Sequence, residues 1–125
     1  MIAGIGTDIV EIERIREAAQ RWGDRFVKRI YSESEISYCY SKRDPFPNLS
    51  ARFAAKEAAI KALSGLIREN RIFVGDITVH NEASGRPYIV LSERVQNCLE
   101  AGLKLHLTLS HERGHAVATV LVETM

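Results

Sequence analysis

Asp8, in the run GIGTDIVEIERI, and Glu57, in the run RFAAKEAAIKAL, are carboxylates set among apolar residues. A carboxylate in an apolar stretch is costly unless a cation or hydrogen-bond donors compensate it. Two such groups, far apart in sequence, suggest one shared cation. Hard oxygen ligands suit Mg²⁺, which takes one or two protein carboxylates and completes its shell with water and substrate phosphates. Chemistry on phosphate esters is the work such sites do.

Each carboxylate also has a plainer reading. Glu57 stands four residues before Lys61, the spacing of a surface ion pair on a helix. Its place beside Phe53 and Ile60 argues against the polar arc where such pairs sit. Asp8 also reads as a strand-end residue capping the helix that follows.

Arg14, Arg16, Arg21, Arg25, Lys28 and Arg29 stand against only Glu13, Glu17 and Asp24 between residues 12 and 30. Two readings stay open. One is a solvated face with pairs such as Glu13–Arg16 and Glu17–Arg21; the other is a docking face for an acidic protein or polyanion. His111 and His115 have H-x₃-H spacing, but Gly114 interrupts it in hairpin context, which argues against zinc. The phosphate-binding pattern GxxxxGK[ST] is absent.

The elements that must position these residues follow from pattern. Residues 2–12 read as a strand, apolar on both faces and so buried on both sides, with Gly4 and Gly6 permitting close backbone approach. Asp8 shares a face with Ile2, Val10 and Ile12. Residues 12–30 are helical with a break at Gly23-Asp24. Ser32-x-x-Glu35 is a capping box that opens a short helix carrying Ile36 and Tyr40. Residues 41–48, SKRDPFPN, read as a loop. Residues 49–67 form an Ala-rich helix. Strands follow at Asp76–Asn81 and Tyr88–Leu91, across a Ser84-Gly85-Arg86-Pro87 turn. Ser92 caps a helix running to about Gly102. Leu103–Ser110 alternates leucines on one face, and a turn at 112–114 returns it as His115–Glu123. The order predicts an α+β fold, a mainly antiparallel sheet packed against the long helix, in a single domain over residues 1–125.

Composition narrows the partners. The 125 residues are 46% hydrophobic and 26% charged with net charge +1, which points to no nucleic acid. No run approaches the roughly 20 apolar residues of a membrane span, and the N-terminal stretch lacks the pattern of a signal peptide. Cys39 and Cys98 form no CxxC and read as small buried hydrophobes in a reducing, cytoplasmic setting.

The ordered motifs resemble the phosphopantetheinyl transferases. Gly6, Asp8 and Arg14 match the family's Gly-x-Asp-x₅-Arg signature. Phe53, Lys56, Glu57 and Lys61 match its aromatic-x-x-Lys-Glu-x-x-x-Lys signature. Gly85-Arg86-Pro87 and the closing LSHERGHAVATVLVE, with Ser110-His111, match further segments, and the likeness runs nearly end to end. The resemblance implies transfer of 4′-phosphopantetheine from coenzyme A to a serine of apo-acyl carrier protein, releasing adenosine 3′,5′-bisphosphate, for fatty acid biosynthesis. It implies Asp8 and Glu57 as Mg²⁺ ligands, and Glu57, Lys61 and Asp8 as the catalytic set. Lys42, Arg43, Arg52 and Lys56 are implied for the coenzyme's 3′-phosphate and pyrophosphate, and His111 for its adenosine end. The acidic carrier would dock on Arg14, Arg21 and Arg25. Short members are homotrimers with sites between subunits, so one chain's Asp8 face and a neighbour's helix would complete each site. One departure stands out: the Gly-Thr-Gly-like loop of many members is here Ser64-Gly65-Leu66-Ile67-Arg68, with one glycine. Two other readings remain, a metal-dependent hydrolase of nucleotide pyrophosphates and a non-catalytic module binding an acidic protein.

Overall fold

The computed structural model describes residues 1–67 and 71–125. Strand β1 (Ile2–Glu11) leads directly into helix α1 (Ile12–Trp22), and Gly23, at φ 55°, breaks the chain into α2 (Asp24–Ile30). That left-handed φ suits a residue without Cβ. The capping box forms as the sequence predicts: Glu35 N–H donates to Ser32 Oγ and Ser32 N–H donates to Glu35 Oε1. Helix α3 (Glu33–Tyr40) follows.

Helix α4 (Phe46–Leu63) begins three residues earlier than the sequence suggests and ends four earlier. Two prolines read as loop, yet proline is tolerated in a first helical turn, where its missing N–H is an orphan anyway. The Asp44 carboxylate accepts the Phe46 N–H at 3.1 Å.

The strands pair antiparallel throughout. One sheet has the order β1–β5–β4, with β4 at Leu103–His111 and β5 at His115–Thr124; the other joins β2 (Ile77–Asn81) to β3 (Pro87–Leu91). The helix after Ser92, α5, is only Glu93–Gln96. Beyond it Cys98 and Leu99 N–H groups bond three residues back, to Val95 and Gln96 carbonyls, so the coil tightens and stops.

Helix α4 lies against one face of the larger sheet. Ala54, Ala55, Ala58, Ala59 and Ala62 are buried there with Val120 and Val122 of β5. Small residues on both sides let the backbones approach. A Cβ added to Gly4 would stand 2.0 Å from the Ala62 carbonyl oxygen.

The expectation that β1 is buried on both faces is corrected. Ile5 and Ile9 are each 66% exposed, because α4 covers only the opposite face. Val10 and Ile12 are buried, whereas Ile2 is exposed, displaced by a register shift between Ile2 and Gly4. Of the two cysteines, Cys39 is fully buried and Cys98 partly so.

Candidate active site

Gly6, Asp8 and Val10 alternate onto the β1 face that meets α4. Asp8 is bonded there: Lys61 Nζ lies 3.0 Å from its Oδ1 and donates also to the Thr7 carbonyl at 3.0 Å. So Lys61 bridges helix to strand, and its ion-pair partner is Asp8 rather than Glu57. Asp8 makes no cap for α1, whose start carries no side-chain cap bond.

Glu57 sits one turn before Lys61. Asp8, Arg14, Phe26, Phe53 and Glu57 line one cavity of about 410 Å³, together with Val10. Burial pushes the Glu57 carboxyl above its ordinary pKa, the Asp8 charge pushes it the same way, and Lys61 pulls it back. Two carboxylates therefore converge from β1 and α4 on one cavity, with Lys61 bonded to the first of them. This oxygen donor set fits a divalent cation. Both carboxylates come from one chain. His111 ends β4 and His115 opens β5, on either side of the hairpin turn.

A second cavity, about 460 Å³, gathers Tyr38, Arg52, Asn81, Arg86 and His111. The Gly85-Arg86-Pro87 turn forms one wall. Arg52 donates to the Asn81 side-chain carbonyl, and Asn81 Nδ2 donates to the Gly85 carbonyl at 2.9 Å. Arg52 and His111 thus line one cavity. Lys42 and Arg43 are exposed on the preceding loop, and Lys42 Nζ lies 4.7 Å from the Tyr38 ring centroid.

Lys56 is removed from the coenzyme-contacting set. It is 1% exposed, its Nζ is 2.8 Å from Glu35 Oε1, and it donates to the Ile77 carbonyl. Glu35 also accepts the Val79 N–H at 2.9 Å. Lys56 and Glu35 therefore join α4, α3 and β2 inside the core, and no donor of Lys56 faces solvent. Burial lowers the Lys56 pKa and Glu35 holds it up.

Arg14 lines the carboxylate cavity itself. Arg21 stacks over Trp22 at 5.1 Å, and Arg25 lines a groove with Trp22, Phe26 and Arg29. The Glu13–Arg16 pair forms at 3.1 Å, while Arg16 also reaches Asp44 at 3.4 Å. In the loop after α4, Ser64 Oγ donates to the Lys61 carbonyl at 3.0 Å; Arg68 lies outside the described residues. Sequence reading missed Tyr38, Asn81 and the core role of Glu35. For Asn81 a signal existed, since it ends a strand three residues before the turn bearing Arg86.

A family model of the 4′-phosphopantetheinyl transferase superfamily matches residues 4–120, and the chain belongs to that superfamily. Within it the chain is similar to holo-acyl-carrier-protein synthases. The enzyme of Koribacter versatilis is 43% identical over 125 residues, covering 98% of this chain and 99% of that one. The crystal structure of the Helicobacter pylori synthase in complex with coenzyme A superposes with a TM-score of 0.81 at 33% identity, over 95% of this chain and 99% of that one. The Neisseria meningitidis synthase structure gives 0.85 at 32% identity, over 99% and 100%.

Proposed function

We propose that this chain transfers 4′-phosphopantetheine from coenzyme A to a serine of apo-acyl carrier protein. The observation that carries the proposal is the convergence of Asp8 and Glu57 on one cavity beside Lys61. The serine oxygen bonds to the phosphorus bearing pantetheine, the bond to the adenylate-side phosphate breaks, and adenosine 3′,5′-bisphosphate leaves. Asp8 and Glu57 are the residues to hold Mg²⁺, which when bound neutralises charge on the pyrophosphate. Lys61 adds a second positive charge at the same phosphates. Glu57, or a water it orients, is the group assigned to take the serine proton.

The nucleotide end of the coenzyme is assigned to the cavity of Arg52, Arg86 and His111. That cavity shares no lining residue with the carboxylate cavity, and the two open from different faces of α4. A homotrimer accounts for both facts: one copy supplies the nucleotide cavity and its neighbour the carboxylates. The exposed apolar side chains of Ile5, Ile9 and Val117 support self-association through the sheet face that α4 leaves open. Arg14, Arg21, Arg25, Trp22 and Phe26 offer the acidic carrier a basic surface with aromatic anchors. A role in fatty acid biosynthesis in the cytoplasm goes with this substrate pair.

The test is intact-mass analysis of apo-acyl carrier protein after incubation with the chain, coenzyme A and Mg²⁺, with and without EDTA. A phosphopantetheine-sized gain that EDTA prevents is the expected result. Coenzyme A consumed without a gain would mean a hydrolase. Coenzyme A left intact would leave the chain as a binding module.

A further inference from the structure

Arg52 carries a buried charge with incomplete compensation. The residue is 3% exposed, yet its partners are the neutral Asn81 side chain and the Tyr38 ring, whose centroid lies 4.4 Å from its guanidinium carbon. Its Nε is buried with no hydrogen-bond partner among the described residues. Among the described residues no carboxylate pairs with it. A buried cation left with neutral partners is costly, and an anion entering the adjoining cavity removes that cost.

Lys42 sits over the same ring at 4.7 Å and, among the described residues, has no carboxylate partner either. A free lysine side chain explores many rotamers; attraction to the ring face restricts this one. Tyr38 is itself held, partly buried, on the last turn of α3, where Ser41 Oγ donates to its carbonyl at 2.6 Å. One aromatic ring thus gathers two cations beside a cavity that already contains Arg86 and His111.

We propose that Tyr38 is a positioning residue whose ring presents Lys42 and Arg52 together as a preformed clamp for a phosphate monoester. It thereby sets the chain's preference for a nucleotide that carries such a group. The charge count selects the ligand class. A phosphate monoester bears close to two negative charges at neutral pH, whereas a phosphodiester bears one. Two gathered cations match the former. The inference rests on the reading that this cavity takes the nucleotide end of coenzyme A.

The experiment compares Tyr38→Phe, which keeps the ring, with Tyr38→Leu, which removes it. Transfer is measured with coenzyme A and with dephospho-coenzyme A, and binding of adenosine 3′,5′-bisphosphate and adenosine 5′-monophosphate is titrated calorimetrically. Tyr38→Leu is expected to raise KM for coenzyme A about tenfold, equivalent to about 1.4 kcal/mol. The KM for dephospho-coenzyme A should move by less than about twofold and kcat should hold, the sum of two exposed-to-buried cation–ring contacts accounting for the difference. Tyr38→Phe should behave as the parent. Lys42→Met, at an exposed position, should reproduce the donor-selective loss even if Tyr38→Leu fails to fold. Equal losses with both donors, no loss with either, or a Phe variant as impaired as Leu would overturn the proposal. If the parent transfers from neither donor but binds the bisphosphate in a Tyr38-dependent way, the transfer reading fails and this inference stands.

Discussion

Gly6 lies against Ala58 so closely that a Cβ on the glycine would stand 2.1 Å from the Ala58 carbonyl oxygen. Strand and helix here meet backbone to backbone. Asp8 is two residues beyond Gly6, and Glu57 is adjacent to Ala58, so this contact sets the separation of the two carboxylates. Gly6→Ala must push β1 from α4. The expected cost is about 1–3 kcal/mol, read from the urea midpoint. Transfer at temperatures where the variant is fully folded should fall as well. Undiminished activity in the folded variant would show that the carboxylates tolerate the displacement.

Asp8→Ala and Glu57→Gln should each lower kcat by about a thousandfold, equivalent to several kcal/mol of lost stabilisation, without loss of the far-ultraviolet dichroism of the fold. A stability result accompanies this. The Glu57 pKa is raised, so its folded carboxyl holds a proton more tightly than the unfolded one, and stability falls as pH rises through that range. Without metal at pH 7, Glu57→Gln should therefore be at least as stable as the parent. A clearly less stable variant would mean that the carboxylate is well compensated in the metal-free chain.

Breaking the Lys56–Glu35 pair has a different signature. Lys56→Met leaves Glu35 buried without its cation and should cost about 3–5 kcal/mol. Adding Glu35→Gln keeps an acceptor for one of the two backbone N–H groups and removes the stranded charge. The double variant should lose much less than the sum of the singles, as a denaturation double-mutant cycle would reveal. Additive losses would mean that the two side chains act independently.

Asp76 gives an acid-side test. Burial raises its pKa, but the Phe73 N–H, Arg94 and Ser92 outweigh burial and hold it below the ordinary value. A depressed carboxyl contributes stability that is present above its unfolded pKa and is lost as pH falls through the folded one. Asp76→Asn should be less stable than the parent at pH 7, and the gap should close below about pH 4. A gap that stays constant down to about pH 2 would mean that geometry rather than charge holds this corner.

Arg25→Glu isolates carrier docking, because Arg25 lines the Trp22–Phe26–Arg29 groove and does not line the cavity of Asp8 and Glu57. Its KM for the carrier protein should rise about tenfold, an effect that added salt diminishes, with KM for coenzyme A unchanged. Arg14→Glu should also lower kcat, since Arg14 lines the cavity of Asp8 and Glu57. Equal effects of Arg25→Glu on both substrates would place the docking surface elsewhere.

The sequence alone determined what is local or chemically expensive. Asp8 and Glu57 stood out because carboxylates in apolar stretches demand compensation. Gly4 and Gly6 announced a close backbone approach, Ser32 and Glu35 a helix start, and alternating leucines a half-covered strand. Tertiary structure decided whatever depended on partners distant in the chain. Lys56 and Glu57 are neighbours in sequence, but helical rotation turns one toward β2 and the other toward β1. Only the packing shows that Glu35, 21 residues away from Lys56, takes the first of them out of the site. In the same way Ile5 and Ile9 look like core residues by type, and they lie exposed because α4 covers one face of the sheet and none of the described residues covers the other. A side chain's type and spacing are fixed by the sequence; which way it points depends on what the rest of the chain packs against it.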